Sequence, residues 1–220
     1  MAIELFHVGE VLVAEILSRL HSRKALYQVR EAVRRGASVS LLDDLRSADI
    51  EFPVRFYADS ASLVVRSGGT SFSCDGAQTI DVLCAGRNGL AVAIEVKLGE
   101  TRMTRAEFRK RFCIPCEESR HLDSRLRGSM VAVLERDLPF LEESELAANV
   151  NGDEWRINQA WWLVVRQRVW RSWRGVSPVR SARVMLFEDL ARAYGGEREF
   201  DNLVTEILGS GFASRWGVYE

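Results

Sequence analysis

Two apolar strands joined by a tight turn, Thr79 to Gly99, constrain this chain more than any other stretch. Thr79-Ile80-Asp81-Val82-Leu83-Cys84-Ala85 and the run from Leu90 to Leu98 are rich in aliphatic and β-branched residues, as buried strands are. Between them lies Gly86-Arg87-Asn88-Gly89, in which Asn88 and Gly89 both tolerate positive φ. Three charges interrupt the apolar hairpin: Asp81, Glu95 and Lys97. A buried charge is costly unless it is paired or bound to metal.

Side chains alternate along a strand, so Glu95 and Lys97 share a face and Val96 takes the other. A hairpin centred near Asn88 sets Asp81 opposite Glu95, give or take one register, with Cβ atoms about 5 Å apart. Two carboxylates at that range repel unless a divalent cation lies between them. Hard cations such as Mg²⁺ take oxygen ligands and often use one or two protein carboxylates, leaving places for water and phosphate. A lysine two residues on then reaches that water or phosphate. Lys24, Lys97 and Lys110 are the only lysines among 30 basic residues. A lysine kept in mid-strand by an arginine-using chain points to a task for a compact point charge. The competing reading is a surface hairpin with solvated charges. Against it, Val92, Ala93, Ile94, Val96 and Leu98 leave no polar face except that of Glu95 and Lys97.

Ile80-Asp81-Val82-Leu83, a turn, and Ala93-Ile94-Glu95-Val96-Lys97 resemble the core of the PD-(D/E)XK nuclease superfamily, which includes restriction enzymes, Holliday-junction resolvases and exonuclease domains. The likeness is close over the hairpin and looser over an N-terminal helix. Ile80 stands where the family's name has proline. The resemblance implies an α/β fold with a restriction-endonuclease-like core. Its mixed central β-sheet is flanked by helices in the order α-β-β-β-α-β, here followed by a C-terminal strand and helix extension. It implies a metal-dependent nuclease acting on DNA in preference to RNA. Asp81, Glu95 and the Val96 carbonyl would hold Mg²⁺ or Mn²⁺, and Lys97 would assist the attacking water. Gly9-Glu10, then Ala14 and Leu17, resembles the first helix of small resolvase-like members, so Glu10 is expected to complete the catalytic set, with Glu15 as second choice. The alternative is a catalytically inactive nuclease-fold protein serving as a nucleic-acid-binding or protein-interaction scaffold.

At 220 residues the chain suits one domain, or a domain with a sizeable appendage. We divide it into a nuclease-like core, 1–136, and a Trp- and Arg-rich extension, 137–220, packed on the same sheet. A net charge of -1 gives no global basic signature, so any nucleic-acid face is local. No apolar run reaches membrane-spanning length. Glu4, Glu10 and Glu15 break any signal-peptide pattern, and a cytoplasmic protein is expected. Cys113-Ile-Pro-Cys116 with His121 looks faintly like a metal knuckle but lacks a second ligand pair. Cys74, Cys84, Cys113 and Cys116 are read as ordinary thiols.

In chain order, 4–21 reads as an amphipathic helix, Arg23 to Arg35 as a charged helix, and Leu41 to Ala48 as another. Pro53 to Tyr57, Ser62 to Arg66 and Ser71 to Cys74 are short strands. Thr104 to Phe112 reads as a helix; the resemblance implies that it brings Arg102, Arg105 and Arg109 toward nucleic acid, and ordinary helix solvation explains these arginines equally well. Ser129 to Leu134 is a further core strand, and Trp161 to Val165 another. Arg166 to Gly175 is a loop or a continued strand, Arg183 to Phe187 a strand, and two helices close the chain. Trp155, Trp161, Trp162, Trp170 and Trp173 alternate with arginines, among them Arg168 and Arg171. That interleaving suits nucleic acid, with DNA (or RNA) as partner. A Trp-rich core edge or a homodimer interface accounts for it as well, and is preferred.

Overall fold

The computed structural model describes residues 5–32, 38–67, 70–73, 79–99, 129–134, 154–157, 161–172 and 182–209. It is an α/β protein with a mixed β-sheet flanked by helices. Its strands are β1 (Arg55–Ser67), β2 (Thr70–Ser73), β3 (Thr79–Ala85), β4 (Leu90–Lys97), β5 (Ser129–Leu134), β6 (Glu154–Ile157), β7 (Trp161–Val165) and β8 (Ala182–Leu186). Its helices are α1 (Leu5–Ser22), α2 (Leu41–Ser47), α3 (Gln167–Ser172), α4 (Phe187–Tyr194) and α5 (Glu197–Leu208).

β1, β3 and β4 pair antiparallel in that order, and β4, β7 and β8 continue in parallel. β2 pairs with the end of β1. β5 pairs antiparallel with β1 and with β6, and β6 runs parallel to the start of β4. The pairings therefore close a ring, β1–β3–β4–β6–β5–β1, from which β7 and β8 extend.

The helix face of this sheet is apolar at every second position: Val82 and Cys84, Val92, Ile94 and Val96, Trp162 and Val164, then Met185. Onto it pack Leu12, Val13, Ile16, Leu17 and Leu20, the apolar stripe of α1. Phe187 and Leu190 of α4 and Phe200, Leu203 and Val204 of α5 complete the layer. The opposite face is also buried, through Leu83, Ala91, Ala93, Leu163 and Val165. Buried on both faces, β3, β4 and β7 read as near-continuous apolar runs.

Several expectations need correction. The charged stretch after α1 is not helical from Arg23 to Ala32: it makes one short 3-10 turn, Leu26–Gln28, and then extends. There Ala32 N–H donates to Val184 O along the edge of β8, and Leu41 N–H to Val29 O. These tertiary bonds replace the helical ones. The two short strands expected over 53–66 are one long strand, β1, with a shift in register between Ala58 and Ala61. The segment after Trp161–Val165 is neither loop nor strand but the helix α3. β5 is a strand that pairs with β1 and β6, while the parallel neighbours of β4 are β6 at its start and β7 further along. The hairpin turn also differs. Only Gly89 takes positive φ (75°), closing a three-residue loop with a Gly86 N–H to Leu90 O bond of 2.9 Å. Asn88 instead donates to Asp49 O at 2.5 Å and accepts the Glu51 N–H at 3.3 Å, tying the loop to the segment before β1.

Candidate functional site

β3 and β4 pair from Ala85↔Ala91 to Val82↔Ile94, and there the ladder ends. One step further, the same register sets Asp81 across from Glu95. Beyond Ile94, β4 is paired along its other edge with β7, through Glu95↔Leu163, Val96↔Val164 and Lys97↔Val165. The Val96 N–H is thus left on the β3 side, and Asp81 Oδ2 accepts it at 2.7 Å. The carboxylate is fixed where the strands part.

Lys97 completes the arrangement. Its Nζ lies 3.1 Å from Asp81 Oδ2, 2.5 Å from Glu95 Oε1 and 3.2 Å from the Val96 carbonyl oxygen. All three side chains are largely buried, at 13% exposure for each acid and 15% for the lysine. Burial alone would lower the Lys97 pKa. The charges of Glu95 and Asp81, and the hydrogen bonds from both, more than offset it and hold the ammonium above its ordinary value. Val96 turns its own side chain into the helix-side core, as strand alternation requires.

Three oxygens therefore converge on one point: two carboxylate and one carbonyl. That is a hard donor set, suited to Mg²⁺ or Mn²⁺. Among the described residues, no group of three or more His, Cys, Asp and Glu side chains is arranged to hold a metal. Glu10 is half-buried on α1. Glu15 is engaged elsewhere: its carboxylate accepts from Arg19 Nε at 2.6 Å, and Arg19 also reaches Glu206 at 2.6 Å. Arg168 and Arg171 are exposed on α3, which follows the end of β7. Arg102, Arg105, Arg109, Cys74, Cys113, Cys116 and His121 lie outside the described residues. Cys84 is fully buried on the helix face, and burial pushes its thiol well up from the ordinary value. Trp155 and Trp162 are core residues, while Trp170 is half-buried.

Sequence reasoning missed the polar group beside this point. The C-terminal ends of three parallel strands lie side by side, Lys97 next to Val165 and Val165 next to Leu186. Just past them Glu188 accepts the Gln167 N–H through both carboxylate oxygens, at 3.1 and 3.0 Å, and lies 3.9 Å from Arg166 Nε. A charged pair directly after two apolar runs, Arg166 after Val165 and Glu188 after Phe187, was the available signal. Tyr57 was missed too. It pairs with Leu83, two residues from Asp81 on the same face, and its ring lies 6.3 Å from that of Trp155.

Comparison with family models, with curated proteins and with solved structures finds no match for this chain. No helix among the described residues is long and apolar enough to cross a membrane.

Proposed function

We propose that this protein is a metal-dependent nuclease of the PD-(D/E)XK type, with Asp81, Glu95 and the Val96 carbonyl as its cation ligands. One observation carries the reading: three oxygens of a hard-cation set converge within 3.2 Å of a single point at the parting of two core strands. The element order supports it. α1 precedes three successive antiparallel strands, β1, β3 and β4, and the next neighbour of β4 runs parallel to it. Three antiparallel strands after a helix, and a parallel neighbour that needs a crossover connection, agree with the strand part of the expected α-β-β-β-α-β order; the helix expected over 104–112 lies outside the described residues.

In this reading Asp81 is preorganised by the Val96 N–H, and Glu95 by its place in the β4–β7 ladder. A divalent cation held between them would supply Lewis acidity toward a phosphate oxygen and toward the attacking water. Lys97 hydrogen-bonds that water and orients it. Arg168 and Arg171 lie on the helix that leaves the same end of the sheet, where a nucleic-acid backbone would meet them.

The test is Mn²⁺-dependent cleavage of plasmid and single-stranded DNA by wild type beside Glu95→Ala. Cleavage by wild type that is lost in the variant supports the proposal. A variant that cuts as fast as wild type removes it. The closed ion pairs of Lys97 with both acids favour a second reading, an inactive nuclease-fold scaffold. It predicts nucleic-acid binding with no turnover and no Mn²⁺ affinity.

A further inference from the structure

Lys97 stands at the point that the cation would need. Its ammonium has three N–H donors, and three oxygens surround it: Asp81 Oδ2, Glu95 Oε1 and Val96 O, at 3.1, 2.5 and 3.2 Å. The donor and acceptor counts match. Without that ammonium, two carboxylates, each only 13% exposed, would face each other across a low-dielectric gap. The lysine is therefore the counter-ion that lets the acids be buried together.

A hard divalent cation takes the same kind of oxygen donors. It cannot share one point with an ammonium, because two cations at bonding distance from the same oxygens repel strongly. We propose that Lys97 is a reversible plug: its ammonium occupies the cation position in the metal-free protein, and Mg²⁺ or Mn²⁺ enters only as that ammonium leaves. The inference rests on the cation-site reading above and adds its regulation. It has two consequences. The metal-free fold keeps its two acids bridged by a positive charge that offsets most of their repulsion. The lysine is released toward water and phosphate only when the site is loaded, so the reactive arrangement assembles with the metal and not before it. A lysine suits this use, being a compact charge on a flexible four-carbon stem, where an arginine would clamp the carboxylates with a planar fork.

The experiment is calorimetric titration of Mn²⁺ into wild type, Lys97→Met and Glu95→Ala at one pH, with melting temperatures in chelator. Lys97→Met should bind Mn²⁺ at least about tenfold more tightly than wild type. It should also melt lower than wild type in chelator and recover when Mn²⁺ is added. If Lys97→Met binds no more tightly while wild type binds, the plug is overturned and the cation site stands. If neither wild type nor Lys97→Met binds, the cation site falls and the plug with it. Should Lys97→Met fail to fold, wild type itself decides. With only three lysines in the chain, the Lys97 side-chain nitrogen signal can be assigned through Lys24→Arg and Lys110→Arg. Saturating Mg²⁺ should shift that signal and speed its hydrogen exchange with solvent. An unchanged signal rejects the plug.

Discussion

Asp81 reaches across the parting strands to take the backbone N–H of Val96 at 2.7 Å, and so braces the residue between Glu95 and Lys97. An asparagine retains an oxygen for that N–H but not the charge. Asp81→Asn should keep stability within about 1 kcal/mol of wild type while losing Mn²⁺ affinity. Asp81→Ala should lose about 1–3 kcal/mol as well, because a buried donor is orphaned. Urea unfolding and calorimetry on both variants check this pair. Equal stability for the two would show that the backbone bond contributes nothing.

His21 should make stability fall below neutral pH. It packs against Phe52 and Phe56, ring centroids 5.9 and 6.4 Å away, and burial pushes its pKa below the ordinary 6.5. The unfolded chain therefore takes up this proton at a higher pH than the folded one. Its contribution is whole above about pH 6.5. It is lost as pH falls from there to the lower folded value, and is constant beneath it. His21→Leu should flatten that part of the profile in urea melts. A slope unchanged by the substitution would assign it to other groups.

Asp44 is a buried hub on α2. One oxygen accepts from Trp162 Nε1 at 2.9 Å, and the other faces Arg183 Nε at 3.2 Å, while Arg183 also meets Glu31 at 3.3 Å. Asp44→Ala should cost on the order of 3 kcal/mol, since it orphans a buried indole N–H and leaves Arg183 with one fewer anion. Asp44→Asn, which can still accept from the indole, should cost less. Thermal melts of the two, ranked the other way, would contradict this account.

Glu188, in the first turn of α4, caps α3 by accepting the Gln167 N–H. Glu188→Ala should lose about 1 kcal/mol, the usual worth of a helix cap, and Glu188→Gln less. If α3 presents Arg168 and Arg171 to DNA, the alanine variant should also bind single-stranded DNA more weakly at matched salt. Fluorescence anisotropy would measure it, and Arg168→Ala should show the same loss without the change in melting.

The hairpin was legible because its pattern is local. Thr79 to Leu98 carries strand composition, a turn and alternation, and those fix which face holds Glu95 and Lys97. The last two helices were legible for the same reason, each having a strong apolar stripe with a glycine break between them, at Gly195 and Gly196. The stretch after α1 misled because helix propensity in Arg23 to Arg35 is a weak preference. It yields to Leu26, Val29 and Glu31, which are buried against distant partners. The partner of β4 could not be read at all: β5 and β7 are both short apolar runs, and nothing within either run states which one lies beside Val96. At the site, two acids and a lysine could be named from spacing. That the lysine would close on both acids and the Val96 carbonyl depends on where β3 and β4 part, which the pairing of β4 with β7 decides.

Arg19 on α1 holds Glu206 on α5, and Arg23 stacks 4.8 Å over the Tyr194 ring while donating to its carbonyl oxygen. The apolar stripe of α1 meets Phe187 to Val204 in the same layer. During synthesis β1, β3 and β4, which take one side of the α1 stripe, follow it closely, whereas the two helices that take the other side are made many seconds later at ordinary elongation rates. Through that interval part of an apolar helix face stays uncovered. The sheet that holds the site can therefore close on α1 early, and the docking of α4 and α5 across this long loop should be a late step of folding.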